Sequence, residues 1–358
     1  MDIKIGRHEM ADSNSKISKK LVDLQRLVIP EISTLIELRY NILSTVKSEA
    51  PIGRRNLAYV LDMSERQVRN EIDFLQEQKL VEVERQGIIL TPLGNNILND
   101  LKQMLYTYNG LEQLENQLVE ALHLKKAVVC PGDMKINYQV LNFMGKAAAN
   151  VILTVMKYQD VLALTGGAST AAVAAQMKEA LYPDAYVIPA RGGIGKSHAT
   201  QANNVVAEIA LKLRAKYELL HLPDNIDKNL LNALKDYPEI KRVFDKMKEI
   251  DVLVFGIGRA DVLADSRNTP ISEKEALLDR GAIGEAFGYY FDAQGQVIQA
   301  ASTVGVDIED YPQITNRIGI AGSKAKAEAI IGACRVAPET ILITDESAAT
   351  EIVRLLNK

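Results

Sequence analysis

The chain has 358 residues, enough for two or three domains, and its 47% hydrophobic and 25% charged content is that of an ordinary globular protein. No apolar run is long enough to predict a membrane-spanning helix, and a net charge of −4 gives no global attraction to nucleic acid, so any DNA contact must come from a local patch. Cys130 and Cys334 stand alone without metal-ligand spacing, and the N-terminal "MDIKIGRHEMADSNSKISKK" has no apolar core before a cleavage site; a reducing cytoplasm, with no metal or cofactor, is the expectation.

Three parts are predicted in chain order: residues 1–91, helical and ending in a short β pattern; residues 92–123, an amphipathic connector; and residues 124–358, where apolar strands alternate with helices. The first part opens on "SKKLVDLQRLVIPEISTLIELRYNILSTVKSE", a long helix pattern that Pro30 should interrupt. Next, Leu57, Val60 and Leu61 give a short helix one apolar face, "DMS" makes a turn, and Ser64 is placed as the N-cap of a second helix. Val68, Ile72 and Leu75 give that helix a buried stripe, leaving Glu65, Arg66, Gln67, Arg69 and Asn70 on its exposed N-terminal face. Two β runs, "LVEVER" and "GIILT", follow across Gln86-Gly87.

Helix, turn, helix and hairpin together describe a winged helix-turn-helix, whose second helix presents its N-terminal side chains to the major groove. Arg suits guanine, and Gln or Asn suits adenine. Arg54 and Arg55 are expected on phosphates, and Arg85 near the wing tip. Residues 1–90 carry 14 Lys plus Arg against 14 Asp plus Glu, so the segment is neutral, yet Gly53–Asn70 holds four Arg against Asp62 and Glu65. The alternative is a helical contact module whose charges are merely solvated.

In the connector, Ile97, Leu101, Met104 and Tyr108 form one stripe, and Leu111, Leu114, Leu118 and Leu122 another, with Gly110 between. Such stripes need a partner, either the α/β part or a second copy of the chain; a helix-turn-helix reader usually works as a dimer.

In the α/β part, strands are expected at 126–130, 161–164, 185–189, 217–222, 251–258, 318–322 and 341–344, and "FGYYFDAQGQVIQA" reads as a hairpin turning at Ala293-Gln294-Gly295. Loops at the carboxyl ends of such strands build ligand sites. "TGGAST" brings Gly166, Gly167, Ala168, Ser169 and Thr170 to a helix N-terminus suited to an anion. The other strand ends offer Arg191, Lys196 and Gln201; Arg259 and Arg267; Glu285; and Ser323, Lys324 and Lys326. Cations for phosphates, with Glu or Gln for hydroxyls, would suit a sugar phosphate. Dinucleotide binding is disfavoured, because no GxGxxG is followed by an acidic residue at the required distance.

The segments "LTGGAS", "PARGGIG", "TQANN", "GIGRAD", "SRNTP", "GEAFGYYFDAQGQV" and "SKAKAEAI", with "RRNLAYVLDMSERQVRNEIDFL", resemble the SorC-type family of bacterial transcription regulators across the whole chain. The resemblance implies an α/β architecture: an N-terminal winged helix-turn-helix joined by a helical connector to a Rossmann-like effector domain with the fold of sugar-phosphate isomerases. It implies a repressor of a glycolytic operon acting on operator DNA as a homodimer or homotetramer, with fructose 1,6-bisphosphate as inducer. The family's effector contacts fall on Gly166 to Ser169, Arg191, Gln201, Ser266 with Arg267, Glu285 and Lys326. Ala168 replaces a hydroxyl residue of the family pattern, and Ser266 a basic one. The competing class is an active isomerase or deaminase, but of His8, His123, His198 and His221 only His198 lies near the proposed loops, with no evident acid–base partner.

Overall fold

The computed structural model describes residues 28–29, 31–193, 198–223, 226–301 and 304–357. Pro30, Lys196 and His8 lie outside them. The chain divides into two compact units, at Leu111 and Glu112. In the first, α1 (Glu31–Glu49), α2 (Arg54–Val60) and α3 (Glu65–Glu77) precede a hairpin of β1 (Val81–Val83) and β2 (Ile88–Leu90), and α4 (Pro92–Tyr108) follows.

α2 buries Leu57 and Ala58, while Val60 and Leu61 are only half-buried; α3 buries the expected stripe of Val68, Ile72 and Leu75. Arg39 ties α1 to α3, pairing with Glu71 at 3.0 Å and lying 3.8 Å over the Phe74 ring. The hairpin pairs Val81 with Leu90 and Val83 with Ile88, and turns over Glu84–Gly87. Gly87 has φ +144, and a Cβ there would stand 2.8 Å from the Ile52 nitrogen, so the wing requires glycine. In α4 the expected stripe is rotated: Leu98, Leu105 and Tyr108 are buried, whereas Met104 is exposed and Ile97 and Leu101 half-buried. The Thr91 cap, accepting from the Gly94 nitrogen at 3.0 Å, fixes the helix start, and packing on α1 then selects the face that turns inward.

The second unit begins within α5 (Leu111–Leu122) and continues through β3 (Lys126–Cys130), α6 (Gln139–Val155), β4 (Val161–Leu164), α7 (Ala168–Gln176), β5 (Tyr186–Pro189), α8 (Ala202–Leu213) and β6 (Lys216–Tyr217). Then come α9 (Lys228–Leu234), α10 (Pro238–Met247), β7 (Ile250–Arg259), α11 (Ala260–Ser266), α12 (Ile271–Asp279), β8 (Gly284–Ala286), β9 (Tyr289–Phe291) and β10 (Val297–Ala300). β11 (Asn316–Ile320), α13 (Ala327–Val336), β12 (Ile341–Asp345) and α14 (Glu346–Leu356) complete it.

Parallel strands run in the order β6-β5-β4-β7-β11-β12-β3. Such strands, covered on both faces, read as continuous apolar runs, which is why β4 and β12 were visible in the sequence. One face is covered by α6, α7 and α8, whose Met144, Ile152, Val173, Val206 and Ile209 share a core with Leu162, Val187, Val252, Ile318 and Ile343. α13 and α14 pack on β7, β8 and β12. β7 is long: Ile250–Gly256 belongs to the parallel sheet, and Ile257–Arg259 pairs antiparallel with β8, starting the ribbon β8-β9-β10.

Two strand expectations are corrected. "YELLHL" yields only the two-residue β6, because the Asn203 side chain clasps the backbone of Leu220 from both sides, accepting at 3.0 Å and donating at 3.1 Å where a strand neighbour would sit. β8, expected as loop, forms a tight hairpin with β9. Its two-residue turn is Phe287-Gly288, with φ 43 and 99. Positive φ at both positions normally selects Asn-Gly, so the sequence carried no hairpin signal there.

α6 and α7 meet closely at Gly145, where a Cβ would lie 2.5 Å from the Ala172 carbonyl oxygen. Gly145→Val is therefore expected to push α7 off the sheet and to cost about 2–3 kcal/mol or more. A denaturant melt showing wild-type stability would contradict this packing.

Candidate functional site

Connections from β4 run through β5 to β6 on one side, and the chain then returns to β7 on the other side of β4. The carboxyl ends of β4 and β7 thus flank a switch point, where no connection covers the crevice. A cavity of about 310 Å³ opens there, within the size range of small-ligand sites. Its walls carry Gly166, Gly167, Ala168, Ser169, Arg191, Ser266, Arg267, Glu285 and Lys326, so segments scattered over 160 residues of sequence meet in one place.

The β4 end is built by close approach. Gly167 donates its N–H to the Thr200 carbonyl at 2.9 Å, and a Cβ on Gly166 would stand 2.6 Å from that same oxygen. Gly167 has φ +128, which turns the chain into α7. The first-turn N–H groups of a helix have no partner within it, so Ala168 and Ser169 bring an open helix N-terminus to the cavity. Thr170 is fully buried and returns its hydroxyl to the Gly167 carbonyl at 3.0 Å; it is not in the wall. Gln201 is also outside it, immediately before α8, with its side-chain oxygen beside Gly193.

The opposite wall is a buried charge cluster. Glu285 accepts from Arg191 at 2.8 Å and the Gly288 nitrogen at 3.0 Å on one oxygen, and from Arg267 at 2.9 Å on the other. Burial opposes its ionisation, but the two guanidinium charges outweigh this and hold its pKa below the usual carboxylate value. Arg267 is fixed further by the Tyr290 hydroxyl at 3.0 Å. Lys326 donates to the Ile257 carbonyl at 3.2 Å; burial lowers its pKa, against the pull of Asp345. Ser266 turns its hydroxyl back to the Leu263 carbonyl at 2.8 Å. Two guanidiniums and an ammonium against one carboxylate leave a net positive wall, suited to an anion.

Sequence reasoning missed Met134, Leu263 and Phe287, which also line the cavity. Phe287 sits at the unforeseen β8–β9 turn and packs on Tyr311 with ring centroids 4.0 Å apart. Arg259, at the end of β7, points elsewhere, paired with Asp261 at 2.7 Å. Among the described residues no histidine lines the cavity, and no three His, Cys, Asp or Glu side chains gather as a metal site. No described helix is long and apolar enough to cross a membrane.

In the first unit, Ser64 caps α3 in a reciprocal capping box: Gln67 donates its backbone N–H to the Ser64 hydroxyl at 3.3 Å, and the Ser64 backbone N–H donates to the Gln67 side-chain oxygen at 3.1 Å. The Gln67 carbonyl expected at a base edge is thus engaged in holding the helix. Arg66, Arg69 and Asn70 are exposed on α3, and Arg85 on the wing. Arg55 is exposed and pairs with Glu65 at 3.3 Å, while Arg54 pairs across the surface with Asp73 at 3.4 Å, linking α2 to α3.

Residues 106–354 match the family model of a sugar-binding domain, and residues 35–105 that of the CggR N-terminal DNA binding domain. The central glycolytic genes regulator of Priestia megaterium is 38% identical over 341 residues, covering 95% of this chain and 100% of the relative. That of Bacillus subtilis is 35% identical over 336 residues, covering 94% and 99%. A SorC family transcriptional regulator from Enterococcus faecalis superposes with TM-score 0.63 at 32% identity, over 67% of this chain and 99% of that one. The full-length sorbitol operon regulator SorC from Klebsiella pneumoniae does so with TM-score 0.64 at 20% identity, over 89% and 98%. The chain belongs to the SorC family of sugar-binding transcription regulators. These relatives are regulators, and the chain is one too rather than an enzyme: a DNA-binding unit followed by a sugar-binding unit.

Depressed pKa at Glu285 has a pH signature. Its contribution is complete above the unfolded carboxylate pKa, about 4.3, and drains away as pH falls through the lower folded value. Glu285→Gln leaves two buried guanidiniums short of a counter-charge, at a cost of about 3–5 kcal/mol near neutrality. Urea melts of wild type and variant should converge as pH drops below about 4; a gap independent of pH would mean that Glu285 is not held ionised.

Proposed function

We propose that this protein represses a glycolytic operon and is released from its operator when a sugar phosphate, with fructose 1,6-bisphosphate the leading choice, fills the cavity at the switch point. The observation that carries the reading is the cavity wall itself: Arg191 and Arg267 held on buried Glu285, with Lys326 and the open end of α7 close by. Phosphate groups take charge-assisted hydrogen bonds from such donors, and hydroxyls can share the carboxylate. The name of the relatives at 38% and 35% identity supports the glycolytic setting. The reading also places the chain in the cytoplasm, acting as a homodimer or homotetramer, because one recognition helix covers too few base pairs alone.

A ligand releases DNA only if it binds the DNA-competent state less tightly than another state. Titrating the protein–operator complex with fructose 1,6-bisphosphate, fructose 6-phosphate, glucose 6-phosphate and dihydroxyacetone phosphate tests the choice directly; release by none of them would end the proposal.

Arg191→Ala should weaken effector binding roughly 10- to 150-fold, the worth of one charge-assisted hydrogen bond. Operator affinity without effector should hardly change. Release of DNA at the wild-type sugar concentration would remove Arg191 from the ligand site. For DNA reading, Arg69→Ala should cost about 1–3 kcal/mol at the operator and much less on random DNA. Equal losses on both would assign Arg69 to the phosphate backbone instead.

A further inference from the structure

One buried carboxylate outside the cavity ties two of its wall segments together. Asp345, the last residue of β12, is fully buried. Its Oδ2 accepts from the Met134 nitrogen at 3.0 Å and from the Ser323 nitrogen at 2.8 Å. Its Oδ1 accepts from the Ala348 nitrogen at 2.9 Å, capping α14, and from the Ser347 hydroxyl at 3.0 Å. That hydroxyl in turn accepts from the Lys324 nitrogen at 3.1 Å. The turn of residues 323–326 is thus held directly at its start and through Ser347 one residue later, and closes on itself with the Lys326 nitrogen donating to the Ser323 carbonyl at 2.9 Å. Met134 and Lys326 both line the cavity, and Asp345 does not.

The close fit supports a dedicated role. A Cβ on Gly322 would lie 2.7 Å from Asp345 Oδ2 and 2.9 Å from the Met134 sulfur, so the backbone passes as near to the carboxylate as glycine permits. Ser323 adopts φ +80, a conformation an L-residue keeps only when its surroundings enforce it. Burial raises the Asp345 pKa above the usual carboxylate value, against the pull of its four hydrogen-bond donors.

We propose that Asp345 is a positioning residue for ligand binding: it touches no ligand, but sets where the Lys326 ammonium stands in the cavity wall. Asparagine keeps the shape, but would put an NH2 group where only donors now approach. Asp345→Asn should therefore loosen the 323–326 turn and let Lys326 drift. The inference rests on the reading of the cavity as a sugar-phosphate site.

The test is a double-mutant cycle on the full chain, with fructose 1,6-bisphosphate binding measured by calorimetry for wild type, Asp345→Asn, Lys326→Met and the double variant. Asp345→Asn should weaken binding about tenfold, and Lys326→Met at least as much. The double variant should bind no worse than twofold below Lys326→Met alone, because the two residues act through one ammonium. A merely destabilising Asp345→Asn would lower affinity by the same factor in both backgrounds, and that result overturns the proposal. So does wild-type affinity in Asp345→Asn. If Asp345→Asn fails to fold, Ser347→Ala keeps the carboxylate but removes the hydroxyl that links Asp345 Oδ1 to the Lys324 nitrogen; it should weaken binding about two- to tenfold, the scale of a single hydrogen bond, and no change there is equally fatal. A wild type that binds no fructose 1,6-bisphosphate removes the reading of the cavity and this inference together. Normal wild-type binding with additive variants removes this inference alone.

Discussion

The cavity of the effector unit is organised around the carboxylate of Glu285, buried between two arginines in its wall. A buried ion is tolerated when it is paired and hydrogen-bonded, and Glu285 has three donors: Arg191, Arg267 and the Gly288 N–H. Those partners come from different parts of the architecture. Arg191 follows β5 in the parallel sheet, Arg267 ends α11, and Gly288 closes the hairpin of the antiparallel ribbon. One charge therefore joins the parallel sheet to its extension, and it does so where the strand order opens a crevice. The cluster keeps the two guanidiniums oriented.

That arrangement also explains why the site suits recognition rather than turnover. A proton-transfer catalyst needs a group whose protonation state can change during the reaction. Glu285 is engaged by two arginines, which hold its pKa below the usual carboxylate value. Under the proposed function, such a wall would bind an anion and release it unchanged. Under that proposed function, the energetic task is to make effector binding unfavourable for the DNA-competent state, a matter of linkage that requires no chemistry.

The sequence exposed the parts of the molecule governed by strong local rules. β4 and β12 showed as unbroken apolar runs, Ser64 as a cap, Val68, Ile72 and Leu75 as a stripe, and Gly166-Gly167 as a turn into a helix. What stayed hidden was set by tertiary partners. Thr170 looked like a ligand hydroxyl, yet it is used by its own helix. Leu98 rather than Ile97 faces inward because α1 decides the rotation of α4. "YELLHL" has the composition of a strand, but the Asn203 amide takes its backbone. The Phe287-Gly288 turn uses a residue that turn statistics disfavour, so β8 and the Phe287 wall of the cavity went unseen together.

The capping box on α3 has a consequence for how such regulators can diverge. Gln67 sits among the residues that would meet DNA, but its carbonyl is committed to the Ser64 backbone. Replacing it by most other residues would fray the first turn of the recognition helix whatever base it then faced. Arg66, Arg69 and Asn70 carry no such obligation in the capping box. If α3 reads DNA as proposed, a new operator preference would be reached by exchanging residues 66, 69 and 70 one at a time, while position 67 remains restricted to side chains that can close the box. On that reading, the alphabet available to this helix for rewriting its target would be three letters wide, with the fourth reserved for the helix itself.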